Sequence, residues 1–219
     1  MFTNEVFDRT DAGSSAIISA RTYNLIIGLT LLWGFAANWL IVTNVSTEAI
    51  LAIGSGTFLI GYFISCIIGS IMFNASSNPF VSFLGYNFVV VPFGLVLNVF
   101  LQDVSPDLIV QALEITGLVT GIMMMLGTLY PAFFAGIYRG LFIALLAAIV
   151  VELGMIFILG HSFAFMDFIV AVIFCGYIGF DWSRAQAIPK TVDNAVDSAA
   201  ALYMSIINLF VRVLSFFKN

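Results

Sequence analysis

Apolar residues in this chain come in long runs, separated by short connectors rich in polar residues, proline or glycine. The runs predict helices over Tyr23–Val42, Ala49–Phe73, Phe80–Leu101, Leu108–Leu129, Ala132–Leu159, Phe163–Phe180 and Ala195–Phe217. Each approaches or exceeds the ~20 apolar residues that a helix needs to cross ~30 Å of hydrocarbon. Lipid offers no hydrogen bonds to open backbone, so a spanning segment must satisfy its amides internally, as a helix does. The connectors carry breakers: Thr43–Glu48, Asn74–Pro79, Gln102–Asp107 with Pro106, then Pro131, Gly160–Ser162, and Asp181–Asn194 with Pro189. The expectation is an all-α membrane protein of seven helices, each antiparallel to the one before. Residues 1–22 form a tail and residues 23–219 one transmembrane domain.

The last helix has a second pattern. Asp197, Ala201, Ser205, Asn208 and Arg212 recur at steps of three and four, while Leu202, Ile206, Leu209, Val213 and Phe216 fill the other face. Such steps keep side chains on one stripe of a helix. A polar stripe in lipid must find partners or water, so this helix is placed centrally with Ser205 and Asn208 turned inward. In the third run Pro92 removes a backbone donor and predicts a kink, leaving a carbonyl for a neighbour or a water. Asn87 and Asn98 flank it. Gly117–Gly121, Gly136–Gly140 and the cluster Gly54, Gly56 and Gly61 have the spacing that lets helix backbones approach closely in lipid.

Composition agrees with the pattern. Hydrophobic residues make up 62% and charged residues 9%, against roughly 25% charged in a soluble domain. The formal charge is -5 and the basic residues form no stripe, so no nucleic-acid partner is expected. Cys66 and Cys175 sit inside apolar runs and read as small packing residues, without a metal-binding cluster. The first run is too long for a cleaved signal segment and reads as a retained span. Arg9 and Arg21 precede it, Arg139 lies near the fourth junction, and Arg184 with Lys190 falls between spans six and seven. These positions share one side, which places the N-terminus in the cytoplasm. The last helix either crosses fully, leaving Lys218 outside, or re-enters and returns it.

Ionisable groups at membrane depth cost at least ~2.5–3.5 kcal/mol on insertion scales. Glu152, between Val151 and Leu153, is the deepest. It reads either as a proton or cation ligand or as a protonated side chain bonded to a neighbouring helix. Asp181 closes the sixth run with Arg184 three residues on, which reads as a local ion pair or as a proton-responsive gate. Asp193 and Asp197 open the last helix, where acids favour the N-terminal dipole and also begin the polar stripe. Asp167 and Glu114 are expected near an interface.

Several chemistries lack their residues. A retinal Schiff base needs a lysine within the last span, but the only lysines are Lys190 and Lys218. A serine protease needs a nucleophile motif and a histidine base, and the single histidine, His161, lies in a connector. No phosphate loop or dinucleotide fingerprint occurs, so no enzyme and no cofactor is expected.

The segment Val172-Ile173-Phe174-Cys175-Gly176-Tyr177-Ile178-Gly179-Phe180-Asp181, with Ala201-Leu202-Tyr203-Met204-Ser205-Ile206-Ile207-Asn208-Leu209-Phe210, resembles the transmembrane Bax-inhibitor family. Asn78-Pro79, Gln111-Ala112 and Thr116-Gly117 agree with it. The resemblance implies six helices around a central C-terminal seventh, and a role in calcium leak across membranes. In the bacterial calcium-leak type two aspartates share a proton as a pH-sensitive latch. Asp181 matches the first, but Ser205 stands where the second is expected, and Ser70–Ala75 lacks the latch arginine. A serine there resembles the YccA branch, whose namesake modulates the membrane protease FtsH through a cytoplasmic tail. The resemblance therefore implies a bacterial plasma-membrane protein whose partners are the lipid bilayer and a membrane protease complex. Two functions follow: a slow Ca²⁺ or H⁺ path using Asp181, Arg184, Glu152, Asp193, Asp197, Ser205 and Asn208, or a protease modulator without transport.

Overall fold

The computed structural model describes residues 16–160 and 163–218, and all of their regular structure is helical. The elements are α1 (Ala20–Asn44), α2 (Thr47–Leu51), α3 (Ser55–Ala75), α4 (Pro79–Phe100), α5 (Pro106–Leu129), α6 (Pro131–Leu159), α7 (Ala164–Ala187) and α8 (Val192–Lys218). All but α2 are long and apolar enough to span a membrane. Most of the tail, and His161, lie outside the described residues.

The breaks follow from local chemistry. Ser19, Ser46, Asn78 and Ser105 each accept a backbone N–H from the first turn of the helix they precede, which satisfies an otherwise orphaned donor. Pro79, Pro106 and Pro131 occupy the first turn, where the missing N–H costs nothing. Gly160 ends α6 in the left-handed region at φ 78°.

Two expected boundaries change. The run Ala49–Phe73 is not one helix: it breaks between α2 and α3, where Gly54 adopts φ 84°, a conformation that a side chain would strain. The sixth helix does not stop at Phe180 but continues to Ala187. Polar residues in its last turns mimic a connector, yet Arg184 suits a helix C-terminus and the Ser183 hydroxyl donates to Gly179 O at 2.7 Å. The helix ends where Ile188 precedes Pro189, because a residue before proline is driven out of the helical region. Thr191 Oγ1 then accepts from Asn194 N at 3.1 Å and starts α8, so the long connector shrinks to four residues, 188–191.

The chain forms two compact units. One contains residues 16–104 with Pro189–Ala200, and the other Ser105–Ile188 with residues 201–218. In the first, α3 and α1 pack on α4. A Cβ on Gly69 would lie 2.5 Å from Gly85 O, so α3 and α4 touch backbone to backbone there. Pro92 leaves the Phe88 carbonyl without its helical donor, and Ser65 Oγ fills the place at 2.7 Å. Asn98 donates to Ile41, Val42 and Val45 carbonyls and closes the end of α1. Asn87 accepts Trp33 Nε1 at 2.9 Å. Tyr23, fully buried, shares a hydrogen bond with Ser198 at 3.0 Å, and the Lys190 ammonium lies 4.6 Å from its ring centre. Burial holds Lys190 below the ordinary lysine pKa.

In the second unit α5 and α6 pack on α7. Here the close approach is between Gly127 and Gly179, where an added Cβ on Gly127 would meet Gly179 O at 2.6 Å. The glycines expected to mediate packing do not do so. Gly54, Gly56, Gly61, Gly117, Gly121, Gly136 and Gly140 all face open space. Glycine spacing marks a smooth surface; which surface meets a partner depends on the rest of the helix face. Cys66 and Cys175 are free and half-buried.

Candidate functional site

Two polar layers occur among the described residues of the second unit, the first made by α7 and α8 and the second by α6, α7 and α8. At the first, Ser205 Oγ donates to Asp181 Oδ2 at 2.6 Å. Asp181 is half-buried and Ser205 buried. The continuation of α7 past Phe180 matters here, because it holds Asp181 inside a helix rather than at a loose end. Arg184 stays three residues on, half-buried on the same helix. A hydroxyl can donate to a carboxylate or accept from a carboxylic acid. This contact therefore survives either charge state of Asp181, unlike two carboxylates held together by one proton.

The second layer lies two turns further along α8. Arg212 donates from both terminal nitrogens to Glu152, at 2.6 Å to Oε1 and 2.7 Å to Oε2. The same Arg212 nitrogen that binds Oε1 also donates to Asp167 Oδ1 at 2.8 Å. Ser215 Oγ donates to Asp167 Oδ2 at 2.9 Å. The side chains of Arg212, Glu152 and Asp167 are 23%, 15% and 3% exposed. The fork geometry of guanidinium suits this bidentate arrangement. Neither expected reading of Glu152 included a guanidinium partner. Asp167, expected near an interface, is buried and joined to two side chains of α8. Its α7 backbone supplies the reach: Asp167 and Asp181 lie about four turns apart, roughly 20 Å along one helix.

The remaining predicted residues separate. Asn208 does not join Asp181 and Ser205; its Nδ2 donates to Met204 O of its own helix at 2.7 Å. Asp193 and Asp197 are buried in the other unit. Asp193 accepts the Ser82 hydroxyl of α4 at 2.7 Å, so it is a helix-to-helix contact as well as a first-turn acid. Leu202, Ile206 and Leu209, assigned to the opposite face of α8, are buried as well. Burial does not distinguish the polar stripe; its bonds to α6 and α7 do. Sequence reasoning missed Ser82, Ser215 and the partners of Arg212. An arginine within an apolar span demands an acid, and that signal could have matched Arg212 to Glu152.

These features define a polytopic helical membrane protein with paired polar groups inside its spans. The family described as "Inhibitor of apoptosis-promoting Bax1" matches residues 16–219, nearly the whole chain, and the protein belongs to that Bax-inhibitor family. Comparison with curated proteins finds no match.

Proposed function

We propose that this protein provides a slow cation path, for Ca²⁺ or H⁺, latched by Asp181 and Ser205, and that it is not an enzyme. The observation that carries the reading is the 2.6 Å hydrogen bond between these two side chains on neighbouring spans. A carboxylate is the group on this seam able to attract a cation, and the serine hydroxyl holds it while the path is closed. The distribution of Arg21, Arg139, Arg184 and Lys190 supports a plasma-membrane protein with a cytoplasmic N-terminus. The competing role, modulation of a membrane protease such as FtsH, rests on a tail lying mostly outside the described residues. It predicts no flux, and loss of association when Met1–Ala20 is deleted.

The test is Ca²⁺ efflux from proteoliposomes. Asp181→Asn keeps a hydrogen-bonding side chain but removes the charge, and flux should fall about tenfold, the equivalent of ~1.4 kcal/mol. Unchanged flux would remove Asp181 from the path. The wild-type flux should follow a single titration and fall no further than in Asp181→Asn, because protonation removes the same charge while the serine contact tolerates both forms of the acid. Ser205→Asp would set two carboxylates side by side, where only one readily ionises. Its flux should acquire a steep pH dependence; a profile identical to wild type would contradict the latch.

A further inference from the structure

We infer that Arg212 is a second gate in series with the Asp181–Ser205 latch, a built-in cation that occupies the polar layer which a permeating cation would have to enter. The inference rests on the leak reading but on different residues. Along α8 the polar stripe passes from Ser205 to Arg212 in two turns, roughly 10 Å. Along α7 the same seam runs from Asp181 to Asp167. In sequence between these positions stand Val170 and Ile173 on α7, packed with Ala148 of α6, and Ile206 and Leu209 on the face of α8 away from the polar stripe, all buried and apolar. Along the polar stripe from the first layer, the next charged group on α8 is the Arg212 guanidinium.

Charge explains why this layer blocks. Glu152, Asp167 and Arg212 together carry two carboxylates and one guanidinium. The carboxylates alone would welcome a cation, but three of their four oxygens are held by Arg212 and the fourth by Ser215. A mobile ion must displace a tethered one whose local concentration does not fall. The partial exposure of Arg212 and Glu152, 23% and 15%, against 3% for Asp167, gives the guanidinium room to swing away while Asp167 stays buried. Its layer sets how fast cations leave the seam, and the latch sets whether they enter.

The test compares wild type, Arg212→Lys and the double variant Arg212→Gln with Glu152→Gln in proteoliposomes. The double variant removes the guanidinium and one carboxylate together, so the formal charge of the three positions is unchanged; Asp167 loses its guanidinium but keeps the Ser215 hydroxyl. Cation efflux from it should rise about tenfold, the equivalent of ~1.4 kcal/mol. Arg212→Lys retains a cation and should stay within about threefold of wild type, less than half of that tenfold step on the ~1.4 kcal/mol scale. An entrapped neutral dye must remain inside, which separates gate opening from a damaged, leaky fold. Unchanged cation efflux from the double variant, or efflux accompanied by dye loss, overturns the second gate. If Asp181→Asn still lowers flux in that case, the latch stands alone. If neither wild type nor the double variant conducts, the leak reading falls with it.

Discussion

At the residue scale the fold depends on how each polar side chain in an apolar span is satisfied. Asn98, Ser65 and Ser183 do so by bonding to backbone carbonyls, whereas Asp181, Asp167 and Asp193 each take a serine hydroxyl from another helix. The ion cluster is the costliest to disturb. Arg212→Ala would leave Glu152 and Asp167 without their guanidinium, and breaking a buried pair from one side costs ~3–5 kcal/mol. Thermal unfolding in detergent should show a large loss of stability for Arg212→Ala, and a smaller one when Glu152→Gln is added. Equal losses would mean that the pair is already well solvated. Part of this was legible. The three-and-four spacing on α8 pointed Ser205 inward, and Asp181 does meet it. The same spacing failed for Asn208, because a short amide bonds to the carbonyl one turn back in its own helix as readily as to a neighbour. Arg212 with Glu152 joins residues 60 apart in sequence, and no local pattern reports a pairing of that range.

At the element scale the helix ends were readable wherever a capping serine, asparagine or helix-opening proline stood. They were misread in two places. The break at Gly54 is a conformational choice made by one glycine inside an apolar run. The extension of α7 hides behind polar residues that resemble a loop but lie on a helix capped by Ile188. Glycines show the same limit: spacing found Gly117–Gly121 and Gly136–Gly140, whereas contact occurs at Gly69–Gly85 and Gly127–Gly179. Gly127→Val would drive a side chain into the Gly179 carbonyl and should destabilise by about 1–3 kcal/mol, as overpacking generally does. Gly140→Ala faces open space and should not lower the unfolding temperature, alanine being the better helix former. The reverse order of these two effects would contradict the packing described.

At the scale of the whole molecule the apolar character was legible from the first run of residues, and seven long apolar helices follow from it. The division into two compact units was not, because α8 reads as one continuous amphipathic helix, yet its residues to Ala200 belong with one unit and those from Ala201 with the other. Membrane orientation is tested at this scale. With Cys66 and Cys175 replaced, a cysteine at Asp103 should react with an impermeant thiol reagent from outside intact cells. One at Ala187 should react only after permeabilisation. The opposite pattern would invert the orientation. The most direct measurement of the account is Ca²⁺ efflux from proteoliposomes bearing Ser205→Ala or Asp181→Asn. The account predicts opposite signs: releasing the carboxylate by Ser205→Ala speeds efflux, and removing its charge by Asp181→Asn slows it. Both variants changing flux in the same direction, or neither changing it, would contradict a latch built from these two side chains.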